Sequence, residues 1–132
     1  MGLGGRIALL DSQTAFWLAL DSNRLGPLTR HLLRGAPQLS ISVLSIAELE
    51  FKQQHGRIEA ADIPSLFMGA GLYFEPVQVE DVVSARRFEN LIGHDPFDRL
   101  IQGQAARLNA NLFTSDRKLI AQGFDWIVDS RT

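Results

Sequence analysis

Five short apolar runs alternate with longer segments of helical spacing, and that alternation leaves few folds open. RIALL (6–10), QLSIS (38–42), YFEPVQV (73–79), NLFTS (111–115) and FDWIVD (124–129) have strand length and strand composition. Between them, SQTAFWLALDS (12–22), GPLTRHLLRGAP (26–37), SIAELEFKQQHG (45–56), DIPSLFMGA (62–70), EDVVSARRFENLIG (80–93), the stretch 96–109 and DRKLIAQG (116–123) read as helices. Pro27 stands near the start of the second helix and Gly35 past its end, and Gly56 closes the third. Pro76 limits the run 73–79 to a sheet edge or a strand end. Short strands alternating with helices predict an α/β domain with a mostly parallel sheet.

The 132 residues suit one domain, with 45% hydrophobic content for a core and no linker or repeat to divide it. Residues 1–5 read as a loose start. Asp11 interrupts the first apolar run too early for a signal peptide. The longest uncharged run, 35–47, contains Pro37 and is too short to span a bilayer, so no membrane partner is expected. The absence of cysteine excludes disulfides, thiolate metal sites and a cysteine nucleophile, and it fits a reducing cytoplasm. A net charge of −2 gives no global basic field, although 11 of the 13 basic residues are Arg, the side chain shaped to grip phosphate.

The chemistry lies in the acids. In DPFDRLIQGQAARL (95–108), Asp98, Ile101, Ala105 and Leu108 share one helical stripe, so a carboxylate stands at the head of a core-facing row, with Asp95 one turn before it. Each acid has a plain structural reading. Asp11 caps a helix; Glu48 completes a Ser45-to-Glu48 capping box or pairs with Lys52; Asp95 before Pro96 is an N-cap; Asp98 suits a helix dipole; Asp116 caps the helix after LFTS.

Taken together they point elsewhere. Asp11, Glu48 and Asp116 are expected at strand-to-helix junctions and Asp98 at a helix start, and in a parallel sheet such junctions share the carboxyl edge where ligands bind. Two like charges about 4 Å apart cost on the order of 4 kcal/mol at an effective dielectric near 20. A cluster therefore needs a protonated member or a cation, and hard oxygens without Cys favour Mg²⁺ or Mn²⁺. A site of that kind suits phosphoryl chemistry.

Other motifs are absent. His31, His55 and His94 share no ligand spacing and read as surface or cap residues; neither a His-Glu-x-x-His nor a Gly-x-Ser-x-Gly motif occurs. Ser12, Thr14, Thr114 and Ser115 lie beside the acids, where they either support the site or satisfy helix ends.

Four ordered blocks, LLDSQTAFW (9–17), LSISVLSIAELEFK (39–52), HDPFDRLIQGQA (94–105) and LFTSD (112–116), resemble the PIN-domain ribonucleases, and among them the VapC-type toxins of bacterial toxin–antitoxin pairs. The resemblance runs over residues 7–128. It implies a three-layer α/β/α fold around a parallel sheet of about five strands, and metal-dependent cleavage of RNA. The family's acidic positions fall on Asp11, Glu48, Asp98 and Asp116, which would hold Mg²⁺ or Mn²⁺; Asp95 matches an extra acid of a subgroup and Thr114 the family's Thr-x-Asp. Ser12 replaces the commoner Thr, and Gln102 and Gly103 depart from the usual apolar or small residues. Gly103 is expected to weaken its helix by about 1 kcal/mol relative to Ala, and Gln102, one turn after Asp98, is placed to touch the site.

The first expectation is thus a cytoplasmic, metal-dependent endoribonuclease, with Arg99 and Arg117 either contacting substrate phosphate or balancing the acids. The resemblance further implies a homodimer and a cognate antitoxin whose tail crosses the acidic pocket. The apolar stretches QTAFWLAL (13–20) and SLFMGAGLYF (65–74) are surplus to one helix face each and suggest interfaces, or else internal core. Two other readings remain: a non-catalytic RNA- or partner-binding module on the same fold, and a metal-dependent phosphatase, against which the absence of Asp-x-Asp-x-Thr at Asp11 counts.

Overall fold

The structure is a computed structural model that describes residues 4–59, 61–88 and 95–132. Its five strands are β1 (Ala8–Leu10), β2 (Leu39–Ser42), β3 (Tyr73–Glu75), β4 (Asn111–Thr114) and β5 (Ile127–Asp129), all parallel, in the order β3-β2-β1-β4-β5. The helices are α1 (Ser12–Ala19), α2 (Pro27–Gly35), α3 (Val43–Gln54), α4 (Ile63–Gly69), α5 (Val79–Ser84), α6 (Pro96–Leu108) and α7 (Arg117–Ile120).

Alternation along the strands builds three layers. Ala8 and Leu10 of β1, Phe113 of β4 and Val128 of β5 point to one side, where Ala15, Leu33, Leu49 and Phe67 from α1 to α4 cover them. Leu9, Leu112 and Ile127 point to the other side, under Ile101 and Ala105 of α6 and Leu119 of α7. Both faces of the sheet are therefore apolar, which is why the strands read as continuous apolar runs. Phe67 and Phe113, fully buried, each contribute about 2 kcal/mol of burial free energy.

β3 is one of the two edge strands and ends at Glu75, immediately before Pro76, as the missing N–H requires. The helix expected over 80–93 is shorter. α5 gives way after Ser84 to a 3-10 turn at Ala85–Arg87, where the chain turns inward so that Phe88 meets Phe124 and Trp126 edge-on at 5.9 Å. Residues 89–93 of that expected helix, His94 of the sequence blocks, and residues 1–3 of the expected loose start lie outside the described residues. The last strand begins three residues later than the run 124–129, because Phe124 and Trp126 stack on each other at 5.2 Å before the chain enters the sheet.

Gly103 has a tertiary reason. A Cβ there would lie 2.3 Å from the Asp81 carbonyl oxygen, so α5 approaches the α6 backbone too closely for any side chain. Close beside it, the Arg107 guanidinium holds the fully buried Asp81 carboxylate at 2.5 Å and reaches Glu75 at 3.6 Å. The apolar stretches 13–20 and 65–74 are largely internal: Phe16 and Phe67 meet edge-to-face at 5.2 Å, which leaves Leu20, Met68 and Tyr73 as their exposed large residues.

Candidate active site

At β1 the strand order reverses, with β2 and β3 on one side and β4 and β5 on the other. The carboxyl end of such a switch point is an open crevice, because the connections on its two sides leave in opposite directions. A cleft of about 370 Å³ lies there. Among the described residues, Asp11, Glu48, Asp95, Asp98 and Asp116 line it together with one cationic side chain, Lys52. All four expected metal-binding acids and the supporting Asp95 and Ser12 are thus brought together.

Each acid arrives by a local device. Asp11 follows β1 as the N-cap of α1; its Oδ1 accepts from Thr14 N at 2.8 Å. Its Oδ2 accepts the Thr114 hydroxyl at 2.7 Å and Ser115 N at 3.4 Å, which ties the ends of the neighbouring strands β1 and β4. The Thr114 hydroxyl oxygen in turn accepts from Asp116 N at 3.0 Å, and Asp116 caps α7 through Lys118 N at 2.9 Å. Asp95 caps α6 through Phe97 N at 2.9 Å, which sets Asp98 in the first helical turn.

Glu48 departs from expectation. Ser42, not Ser45, is the N-cap of α3, and its hydroxyl accepts from Leu44 N at 3.1 Å. The helix starts earlier than 45, and Glu48 sits in its second turn rather than at the strand junction. It enters the cleft because the face carrying Ser45, Glu48 and Leu49 turns toward α1 and α6. Lys52, one turn on, lies 3.7 Å from its carboxylate.

The electrostatics are those of crowded negative charge. Asp98 is half-buried, and its carboxyl is pushed up to about 7 by that burial first and then by Asp95, Asp116, Glu48 and Asp11. Glu48 is also raised, chiefly by burial and by its hydrogen bond with the Asp95 carboxyl, against the opposing charge of Lys52. Both shifts run in the direction that burial and crowded carboxylates impose on one another.

Several expected contributors lie elsewhere. Arg99 is not on the cleft wall; its Nη2 donates to the Ala85 carbonyl at 3.2 Å. Arg117 also lies off the wall, where its charge acts on Asp129. Gln102 is fully buried behind the site, accepting from Gln122 Nε2 at 2.9 Å, and does not line the cleft. Thr14 bonds Ser130 at 2.9 Å and supports α1 from within. Gln13 and Phe97 are wall residues that the acid pattern did not single out, although Phe97 lies between Asp95 and Asp98 on the same helical turn.

Among the described residues, no group of three Asp, Glu or His side chains could hold a metal ion in its present placement. Capping commits oxygens of Asp11, Asp95 and Asp116. The donor chemistry nevertheless fits a hard divalent cation: the wall supplies carboxylate oxygens, and Asp98 is raised by negative charge that a cation would neutralise.

No protein-family profile matches the chain. In sequence it is 28% identical over 114 residues to "Ribonuclease VapC22" of Mycobacterium tuberculosis, an alignment covering 84% of this chain and 88% of that protein. In fold it matches a toxin–antitoxin complex from Klebsiella pneumoniae, with a TM-score of 0.65, 16% identity, and coverage of 93% of this chain and 97% of the other. It also matches VapBC2 from Rickettsia felis bound to a promoter DNA fragment, with a TM-score of 0.63, 16% identity, and coverage of 87% and 92%. The comparisons thus agree with the resemblance of the four sequence blocks: the chain folds as a three-layer α/β/α domain like those structures, and it is similar in sequence to a VapC ribonuclease.

Proposed function

We propose that this chain is a divalent-metal-dependent endoribonuclease and the toxin of a toxin–antitoxin pair. The observation that carries the reading is the convergence of five carboxylates on one cleft at the switch point, with Asp98 pushed up to about 7. The relationship to a VapC ribonuclease supplies RNA as the substrate class.

Asp11, Glu48, Asp98 and Asp116 would hold Mg²⁺ or Mn²⁺. The cation, when bound, would offset charge on the scissile phosphate and lower the pKa of the attacking water, which makes it a better nucleophile. The chain's own groups prepare that chemistry. Thr114 and the α1 backbone fix both oxygens of Asp11, so this carboxylate cannot rotate away. Asp98 holds its proton more tightly than an isolated acid while the site is unfilled, and a bound cation would displace that proton to solvent. Lys52 offsets part of the charge on Glu48 and offers a cation beside the cleft for a phosphate.

A cytoplasmic setting and a cognate antitoxin follow from the same reading. Toxin–antitoxin complexes are among the fold's neighbours, and no helix among the described residues is long and apolar enough to cross a membrane. A homodimer belongs to the proposal as well. Val79, Val82 and Val83 of α5 are exposed together, 76%, 54% and 48%, and offer an apolar face of the sort that two-fold interfaces cover.

The experiment is RNA cleavage by the purified chain with Mn²⁺ or Mg²⁺, with EDTA, and after Asp11→Asn. Cleavage that needs the cation and falls at least a hundredfold in the variant supports the reading. Cleavage that is unchanged in EDTA overturns it.

A further inference from the structure

A second cavity, of about 300 Å³, lies at the other end of the sheet and shares no lining residue with the acidic cleft. Arg6 precedes β1, Ala110 precedes β4 and Trp126 precedes β5, whereas Asp11 and Asp116 follow β1 and β4. At about 3.3 Å per extended residue, the chain from Arg6 to Asp11 sets the two openings roughly 15 Å apart. Three rings line this cavity. Phe88 is buried, and Phe124 and Trp126 stack on each other at 5.2 Å with their planes 21° apart, each edge-on to Phe88. Phe124 is 38% exposed. From α6 come only the short side chains of Ala105 and Ala106, which leave the space open.

The charge on this lining is of one sign. Arg6 and Arg87 belong to it, and among the described residues no acid does. Neither guanidinium has an ion-pair partner among the described residues. Asp125, between the two stacked rings in sequence, is exposed and lies off the wall. Arg87 is exposed at the end of the 3-10 turn, which is pinned at the Ala85 carbonyl by Arg99 Nη2 at 3.2 Å and by Phe88 N at 3.1 Å. The end of α6 does not account for the two cations. Its Ala105 and Ala106 carbonyls already accept from Ala110 N at 2.9 Å and Asn109 N at 3.2 Å, with Asn109 closing the helix in the left-handed conformation. Nor does closure of the core account for the cavity, because Phe88 already seals that cluster at 3% exposure.

Two unpaired guanidiniums on one small cavity repel each other, and an anion between them removes that cost. A phosphate monoester carries a charge near −2 at neutral pH and accepts bidentate bonds from Arg, so it matches two guanidiniums better than a single carboxylate does. Aromatic side chains with open surface bind flat rings by stacking. A volume of about 300 Å³ stands at the small end of ligand pockets, which suits one small molecule. We propose that this cavity binds a mononucleotide, with its phosphate held by Arg6 and Arg87 and its base against the Phe124–Trp126 pair. The site is separate from the acidic cleft, and the assignment is independent of the nuclease reading.

The test is titration calorimetry of the whole chain with AMP, adenosine and ribose 5-phosphate, in EDTA so that no cation links the ligand to the acidic cleft. AMP binds with submillimolar affinity, and adenosine and ribose 5-phosphate, which lack the phosphate and the base, each bind at least tenfold more weakly. Trp126→Leu weakens AMP binding about tenfold, within the range for one stacked base, and narrows the gap between AMP and ribose 5-phosphate. Arg6→Gln and Arg87→Gln each weaken AMP binding about tenfold and narrow the gap between AMP and adenosine. Circular dichroism establishes that each variant is folded; Arg87, exposed on its turn, keeps the test open even where Trp126→Leu unfolds the chain. No binding of AMP at millimolar concentration overturns the proposal. So does binding of ribose 5-phosphate or adenosine as tight as that of AMP, which would leave the ring or the phosphate without a role. AMP binding at wild-type strength in Arg6→Gln and Arg87→Gln places the ligand elsewhere and overturns it too. A wild-type dimer that sediments as a monomer after Trp126→Leu, with no AMP binding in either, makes the cavity a contact between copies and overturns it as well.

Discussion

The Thr114 hydroxyl donates a 2.7 Å hydrogen bond to Asp11 Oδ2 and accepts one from Asp116 N at 3.0 Å. One buried hydroxyl therefore couples two acids that are 105 positions apart in sequence (116 − 11), and it does so at the ends of adjacent strands, where the backbone is rigid.

Thr114→Val keeps the shape and removes the hydroxyl. It leaves the Asp116 amide and one Asp11 oxygen without this partner, a loss of about 1–3 kcal/mol. Urea unfolding should register that loss, and Thr114→Ser should recover most of it. Cleavage should fall further than stability does, because Asp11 becomes free to rotate.

Asp98→Asn should stabilise the cation-free protein. The folded carboxyl sits at about 7, above the ordinary value of 3.8, so the folded state holds a proton that the unfolded chain has released. The stability linked to Asp98 is fully present below pH 4 and is lost as pH rises through 7. Against the Asn variant, wild type should therefore lose ground across that window, by roughly 1–2 kcal/mol after screening of a half-exposed group. Thermal unfolding in EDTA from pH 5 to pH 8 measures it; a gap that narrows with rising pH contradicts the assignment.

Gly103→Ala sets two effects against each other. Helix propensity favours Ala by about 1 kcal/mol. The added Cβ, however, lies 2.3 Å from the Asp81 carbonyl oxygen and must push α5 off α6, at about 1–3 kcal/mol for overpacking. The clash wins, and the urea midpoint of the variant falls.

Arg107→Met leaves the fully buried Asp81 without its cation. Removing one partner of a buried pair costs about 3–5 kcal/mol. Asp81→Asn combined with Arg107→Met should restore part of that loss, since of the two acids that Arg107 serves only Glu75 is then left without its cation. Chemical denaturation of the single and double variants gives the coupling.

The strands, their order of appearance and the acid-bearing junctions were legible because a buried parallel sheet writes short apolar runs, and its carboxyl edge collects whatever follows them. Asp11 and Asp116 were placed by that logic alone. Glu48 was identified for a partly mistaken reason: Ser42 and Ser45 both make acceptable caps, and only the end of β2 selects the first. What stayed hidden depended on contacts between distant segments. Gly103 looked like a weak helix residue until Asp81 stood against it. Gln102, one turn from Asp98, turned instead to Gln122. Arg99 faced the Ala85 carbonyl rather than the cleft.

The central claim is that the acid cluster is a divalent-cation site, and Mn²⁺ titration calorimetry at pH 6.5 in two buffers of different ionisation enthalpy tests it most directly. The account predicts saturable binding to wild type with release of a proton, since Asp98 is largely protonated at that pH. It predicts at least tenfold weaker binding, without that proton release, for Asp98→Asn. Mn²⁺ binding of equal affinity and equal proton release in the two proteins, or no binding to wild type at millimolar Mn²⁺, would contradict it.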